Sequence, residues 1–212
     1  MLAVSGVLLL ADAALTLVWQ EPLTGIMAMR EQNRLERELP KQIAAAVADA
    51  RRLATRDPAE RAAELAARFR RRLRRADAVG RLTLPTLGRS YVVSHDKDVQ
   101  AALRSGPAHY PDTPLPGEGG TVGIAGHRTT YGAPFRTLHR LRRGHPVELE
   151  MPYARFLYRV EKVISVLPTE VWVKRRVGHE RLILSASHPP YSAARRLVAF
   201  ARLTDTRLRG DP

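Results

Sequence analysis

Leu182-Ile-Leu-Ser-Ala-Ser-His-Pro189 is a short apolar run that ends in a serine followed by a histidine–proline pair. A run of this length, bounded by a proline and rich in aliphatic residues, predicts a strand over Arg181–Ser187. Ser187 therefore lies at the end of a predicted strand, immediately before His188-Pro189.

A second motif, Ala125-Gly-His-Arg-Thr-Thr-Tyr-Gly-Ala-Pro-Phe135, begins at the end of the predicted strand Thr121–Ala125. His127 follows this strand directly, so its side chain can emerge over a groove. Arg196 begins another predicted strand, nine residues beyond Ser187. Two strand ends and one strand start can converge at one rim of a barrel, so His127, Ser187 and Arg196 form a candidate site.

The whole region after Gly80 consists of short apolar runs separated by Pro and Gly. Many short strands at near-regular spacing predict an all-β sandwich or barrel. The predicted strands are Arg81–Pro85, Tyr91–Ser94, Thr121–Ala125, Pro146–Glu150, Phe156–Val166, Val171–Lys174, Arg181–Ser187 and Arg196–Leu203. Lys97–Arg104 and Pro134–Leu141 are predicted short helices.

These motifs, in their order and context, resemble the sortase family, and in particular the class E sortases of actinobacteria. The segments that carry the resemblance are Ala125–Phe135, Leu182–Pro189, Pro107-Ala-His-Tyr-Pro111 with Leu115-Pro-Gly117, and Arg196. The resemblance covers about Gly80 to Leu203. It implies a mainly β fold, a sortase-like eight-stranded β-barrel preceded by an N-terminal transmembrane helix and a helical spacer.

The resemblance also implies an activity and a role for each residue of the candidate site. Sortases are cysteine transpeptidases that cleave a C-terminal sorting signal, here of a Leu-Ala-X-Thr-Gly-like kind, and join surface proteins to an amine of the cell wall or of a pilin. Carried over by position, His127 is the acid/base, Arg196 stabilises the oxyanion and Ser187 occupies the nucleophile's place. The family spacing selects Arg196 over its neighbour Arg195, since strand alternation turns only one of the two inward.

Ser187 departs from the family pattern, which has cysteine at this position. The chain contains no cysteine, so no other thiol can substitute. A thiol has a pKa near 8.5, whereas a serine hydroxyl is far less acidic and needs a base bonded directly to it. Three alternatives stay open: a weak nucleophile, an inactive relic, or a residue introduced by replacement. A catalytically inactive homologue that binds sorting signals or scaffolds envelope assembly is the alternative function.

The formal net charge of +14 indicates a polyanionic neighbour. Its densest cluster is Arg68-Phe-Arg-Arg-Arg-Leu-Arg-Arg75. No nucleic-acid-binding signature surrounds this cluster, so lipid phosphates or anionic envelope polymers are the expected partners and nucleic acid is not. The resemblance implies no obligatory cofactor beyond calcium in some classes. No cluster of Asp and Glu beside the groove motifs indicates calcium here.

The first twenty residues have the properties of a membrane anchor. Leu2–Trp19 holds eighteen residues with Asp12 as the only charge, and a spanning helix needs about 20 largely apolar residues. Class E sortases carry a similar apolar segment that ends in Trp-Gln-Glu-Pro, and Trp19-Gln-Glu-Pro22 matches this ending. The alternative is a cleaved signal peptide with Ala11-Asp-Ala13 at its cleavage site.

The orientation of this anchor is predicted from the resemblance. The arginines that follow the anchor, taken alone, indicate a cytoplasmic domain. The resemblance instead places a single-pass protein in the cell membrane with its catalytic domain outside, and the prediction follows the resemblance.

Residues 21–79 are predicted to form a helical spacer between the anchor and a barrel domain over residues 80–212. The segment is rich in Ala, Arg, Glu and Leu, which favours helix. Pro40 and Pro58 are each expected to end or kink a helix. Because the apolar faces of the barrel are supplied after Gly80, the spacer is expected to make few core contacts.

Overall fold

The computed structural model describes residues 22–53 and 57–209. Its helices are α1 (Pro22–Arg52), α2 (Pro58–Arg72) and α3 (Val99–Leu103). Its strands are β1 (Asp77–Leu84), β2 (Arg89–His95), β3 (Ala108–His109), β4 (Thr121–Ala125), β5 (Pro146–Glu150), β6 (Ala154–Val166), β7 (Arg181–His188) and β8 (Arg195–Leu208). The predicted anchor over residues 1–20 lies outside the described residues. Within them, none of the helices has the length and apolar character needed to span a bilayer.

The eight strands close into a barrel in the order β1-β2-β3-β4-β7-β8-β6-β5, which confirms the predicted mainly β barrel. The pairs β2–β3 and β4–β7 are parallel, and the other pairs are antiparallel. Because β4 and β7 run in the same direction, their carboxyl ends lie at the same rim. The antiparallel strand β8 begins at that rim.

One strand prediction was wrong. Val171–Lys174 forms a 3-10 helix, because Trp172 turns its indole onto the ring of Phe200, stacking at 5.9 Å with 7° between the planes. The eighth strand is instead Ala108–His109, only two residues long. The helix predicted over Pro134–Leu141 narrows to a 3-10 helix over Leu138–Arg140.

The expectation that the spacer makes few core contacts was also wrong. Leu65 and Phe69 of α2 are buried and belong to the main apolar cluster inside the barrel. Phe69 lies 5.8 Å from the ring of Tyr153. Both residues lie on one face of α2, at the i, i+4 spacing that brings helical side chains together. Helix α2 therefore covers an open end of the apolar core.

The two prolines act differently from each other. Pro40 lies inside helix α1, which continues from Pro22 to Arg52, so this proline does not end the helix. Pro58 begins α2, where the carboxylate of Asp57 accepts hydrogen bonds from the backbone of Ala59 and Glu60 at 3.0 and 3.4 Å. This is an N-cap followed by proline in the first turn, a common way for a helix to begin.

The arginine cluster Arg68–Arg75 is largely occupied by ion pairs within the domain. Arg70 binds Glu118 ahead of β4 at 2.6 Å, and Arg72 binds Asp49 of α1 at 2.6 Å. Arg75 pairs with Asp96 at 2.9 Å. These contacts fix α2 against α1 and the barrel, so most of this cluster does not project as a free polyanion-binding face.

Candidate active site

The structure brings the three predicted site residues to one rim of the barrel. Residue pairing in the parallel strands β4 and β7 joins Ala125 to Ser185, two residues before Ser187. Strand β8 pairs Arg196 directly with Ser187. These two residues and His127 line a common pocket of about 90 Å³.

Arg196 makes the central contact of this pocket. Its Nη1 donates a hydrogen bond to Ser187 Oγ at 2.6 Å. Arg195 turns to the other side of β8, where it donates to Ser165 Oγ at 2.7 Å. A guanidinium in contact with a nucleophile stabilises negative charge on it and on the adjacent carbonyl oxygen during acyl transfer. The position of Arg196 therefore suits an ionisable group at residue 187.

His127 is half-buried and stacks on Tyr131, with ring centroids 5.1 Å apart. Burial lowers the pKa of the imidazole, which favours its neutral form near pH 7. Within residues 22–53 and 57–209, no carboxylate is hydrogen-bonded to this imidazole. The arrangement therefore lacks the acidic member that orients histidine in a Ser-His-Asp triad.

The loop that carries His127 is held by a close approach at Gly126. A Cβ at this position would lie 2.6 Å from the ring of Phe135. The backbone N–H of Phe135 donates to His127 O at 2.9 Å, and that of Gly126 donates to Ser185 O at 3.0 Å. The glycine thus lets the loop fold over Phe135 while it stays bonded to β7.

Arg128 is a second arginine at the site, which sequence reasoning did not single out. It is buried, with 6% of its surface exposed. Its guanidinium donates to His188 Nδ1 at 2.9 Å and to His139 Nδ1 at 3.3 Å. A guanidinium only donates, so each of these nitrogens must offer a lone pair. Arg128 thereby connects the loop of His127 to the end of β7.

His188 does not serve Ser187 as a base in this arrangement. Its Nδ1 accepts from Arg128, and no hydrogen bond between His188 and Ser187 occurs in the described part of the chain. Burial, and then the nearby guanidinium of Arg128, lower the pKa of His188. His188 therefore stays neutral and structural near pH 7.

A longer groove continues from the pocket. A neighbouring depression of about 240 Å³ shares Tyr110, Ser185 and Arg196 with the pocket of Ser187. The hydroxyls of Tyr110 and Ser185 share a hydrogen bond of 2.8 Å. Leu167 and Val171 line its far side and are 49% and 63% exposed. The pocket and this depression together form a groove that contains Arg196 and is lined by both apolar and hydroxyl side chains.

The described residues contain no group of three or more His, Asp or Glu side chains placed to hold a metal ion.

Comparison with known proteins agrees with this geometry. A family profile described as the sortase domain matches residues 82–204, more than half of the chain. Sortase SrtE1 of Streptomyces coelicolor is 30% identical over 99 residues, which are 42% of this chain and 28% of that protein. Sortase D of Bacillus subtilis is 28% identical over 114 residues, 53% of this chain and 55% of that protein. The chain thus spans from about a quarter to about half of these curated relatives.

The fold is also similar to that of solved structures. The structure of sortase E from Streptomyces avermitilis superposes with a TM-score of 0.58 at 27% identity. The match covers 66% of this chain and 97% of that one.

Proposed function

This chain belongs to the sortase family, and on that premise we propose that its groove accepts a sorting-signal peptide of the Leu-Ala-X-Thr-Gly kind for acyl transfer at residue 187. The observation that carries the proposal is the 2.6 Å hydrogen bond from Arg196 to Ser187 Oγ, in the pocket that His127 also lines. Ser187 makes this transfer slow.

Each step has a group in the pocket to perform it. The nucleophile at 187 attacks the peptide carbonyl, and Arg196 donates to the carbonyl oxygen as negative charge develops. The proton of the nucleophile passes to His127, the C–N bond breaks, an acyl bond to residue 187 forms, and the leaving amine takes that proton from His127. An incoming amine then gives a proton to His127 and forms a new amide bond to the acyl carbon, while the acyl bond to residue 187 breaks and His127 returns the proton to the released nucleophile.

Serine weakens the first of these steps. For Ser187 to attack, its proton must pass to His127, yet the hydroxyl is bonded only to Arg196 among the described residues. A cysteine in the same place would ionise more easily, because an adjacent cation lowers the pKa of a thiol. The same observation favours a second candidate function, a homologue that binds sorting signals without cleaving them.

The cellular setting is part of the proposal. The apolar segment Leu2–Trp19 supports a single-pass membrane anchor, with the catalytic domain on the outer side and an amine of the cell wall or a pilin as acceptor.

The substitution Ser187→Cys tests the proposal. The variant is expected to cleave a Leu-Ala-X-Thr-Gly peptide and to form an acyl-enzyme visible by mass spectrometry, while the parent shows little of either. Adding Arg196→Ala should lower the gained rate on the order of 100- to 1,000-fold, as loss of an oxyanion donor does. Adding His127→Ala should remove it as well. Ser185→Cys is the matched control, since Ser185 lines the same pocket but bonds to Tyr110 instead.

The outcomes separate the two candidate functions. If the parent cleaves as fast as Ser187→Cys, serine is a competent nucleophile and the handicap argued above is refuted. If Ser187→Cys reacts with a thiol reagent but cleaves no peptide, while the parent binds a fluorescent Leu-Ala-X-Thr-Gly peptide, the binding function replaces the catalytic one.

A further inference from the structure

Helix α1 exposes apolar side chains at its beginning. Leu23, Ile26 and Met27 are 74%, 50% and 56% exposed, and their spacing places them on one face. The opposite face is buried: Leu35 and Leu39 pack against β1 and β2. Helix α1 is thus attached to the barrel by one side, and its apolar first turns point away from the domain.

The same outer face continues as a row of cations. Arg30, Arg37 and Lys41 follow Met27 at helical spacing and are exposed. None of the three has an ion-pair partner among the described residues. Their neighbour Arg34, by contrast, binds Glu31 and Glu38 at 2.8 and 3.0 Å. Unpaired positive charge therefore lies on this outer face, whereas most of the cluster Arg68–Arg75 is held in ion pairs.

The active-site loop touches the beginning of this helix. The backbone N–H of Tyr131 donates to Thr24 Oγ1 at 3.2 Å, and Tyr131 stacks on His127. A helix with its side chains is about 10 Å across. Whatever lies on the outer face of α1 is therefore about one helix diameter from the catalytic loop.

The sequence before α1 suggests what covers this face. Only three residues separate Trp19, the end of the apolar segment, from Leu23, and a chain this short reaches about 14 Å at most. With Leu2–Trp19 in a membrane, the first turns of α1 are confined to the head-group region. Apolar residues followed by cations form the pattern of a helix that lies in a membrane interface.

We propose that the outer face of α1, formed by Leu23, Ile26, Met27, Arg30, Arg37 and Lys41, binds an anionic lipid bilayer and holds the active-site mouth at the membrane surface. The apolar side chains enter the interface and the cations bind lipid phosphates. The inference rests on the membrane anchor of the proposed function. It adds that the site receives peptides presented close to the bilayer.

Labelling of the full chain tests the contact directly. The chain has no cysteine, so Met27→Cys, Asn33→Cys and Arg202→Cys each accept a single environment-sensitive fluorophore. The labelled chains are reconstituted in phosphatidylglycerol–phosphatidylcholine vesicles that contain a head-group nitroxide lipid. Labels at 27 and 33, both exposed on α1, are expected to be quenched. A label at 202, exposed on β8 across the barrel, is expected to stay bright.

Flotation of the same vesicles separates the inference from the anchor. A chain that does not float has no membrane anchor, and that part of the proposed function fails. A chain that floats, but whose labels at 27 and 33 are quenched no more than the label at 202, has its anchor and overturns the docking of α1.

Charge variants test the cations. Arg30→Gln with Arg37→Gln and Lys41→Gln should remove about half or more of the quenching at residue 27 on anionic vesicles, since each cation near an anionic surface contributes to binding. The matched control, Arg140→Gln with Arg143→Gln and Arg202→Gln, changes the net charge equally and should leave quenching unchanged. Equal losses in both would attribute binding to net charge alone and refute the surface. If the triple variant of Arg30, Arg37 and Lys41 is quenched as strongly as the parent but no longer binds soluble polyphosphate, these cations bind an envelope polymer and the bilayer proposal is refuted.

Discussion

Substitution of Phe69 by alanine tests whether α2 belongs to the folded core. The side chain is 5% exposed and its ring lies 5.8 Å from that of Tyr153. Removal of a buried phenylalanine side chain costs about 3–5 kcal/mol, part of it for the cavity that remains. A domain of ordinary stability has about 5–15 kcal/mol in total, so Phe69→Ala should remain folded but be clearly weakened.

Urea unfolding followed by circular dichroism measures this loss. With a slope of about 2 kcal/mol per molar urea, a loss of about 4 kcal/mol lowers the midpoint by about 2 M. Tyr191→Ala is the control, since it removes an aromatic side chain that is 67% exposed and should shift stability by no more than about 0.5 kcal/mol. A midpoint for Phe69→Ala close to that of the parent would refute the packing argument. So would a fragment of residues 80–212 as stable as the full chain.

Two further predictions concern pH and the active-site loop. Burial lowers the pKa of His109 from 6.5 to about 4, so the folded state holds this imidazole neutral where the unfolded chain protonates it. The contribution of this residue to the free energy of unfolding is therefore present above pH 6.5 and falls by about 3 kcal/mol as the pH is lowered toward 4. His109→Gln should show a smaller difference in urea midpoint between pH 7 and pH 4 than the parent. A difference equal to that of the parent would contradict the assignment. Gly126→Ala, whose Cβ would meet Phe135 at 2.6 Å, should cost about 1–3 kcal/mol and reduce peptide cleavage by Ser187→Cys. Gly25→Ala, with open space around its Cβ, should do neither, and equal activity in both variants would show that the loop tolerates the methyl group.

The sequence predicts a strand of the barrel correctly where the pattern of apolar residues within the strand is sufficient to identify it. Thr121–Ala125 and Pro146–Glu150 have the predicted bounds, because an apolar or alternating run between breakers is enough to specify them. Val171–Lys174 has the β-branched composition of a strand, but it forms a 3-10 helix in which Trp172 stacks on Phe200. Ala108–His109 is too short to show a period, and its strand exists only through its neighbours β2 and β4.

The residues of the candidate site likewise divide into those that a local motif identifies and those whose role depends on distant partners. His127, Ser187 and Arg196 are marked by motif and position, and the structure places them in one pocket. Arg128 lies within the same motif, yet its role depends on His188, sixty residues away, which no local pattern specifies. Three acidic partners of the arginine cluster, Glu118, Asp49 and Asp96, are likewise distant in sequence. The run of like charges therefore resembles a free surface in the sequence, although most of it forms ion pairs within the domain.

The hydrogen bond from Arg196 to Ser187 has a consequence for the history of such a protein. Most serine codons are a single base change away from a cysteine codon, and the guanidinium that a thiolate needs is already in place. One mutation could therefore convert a slow or silent protein into a cysteine enzyme without any intermediate that has to refold or acquire a new partner. The reverse mutation is equally simple, so a population carrying this scaffold could gain and lose transpeptidation while it retains whatever the groove binds.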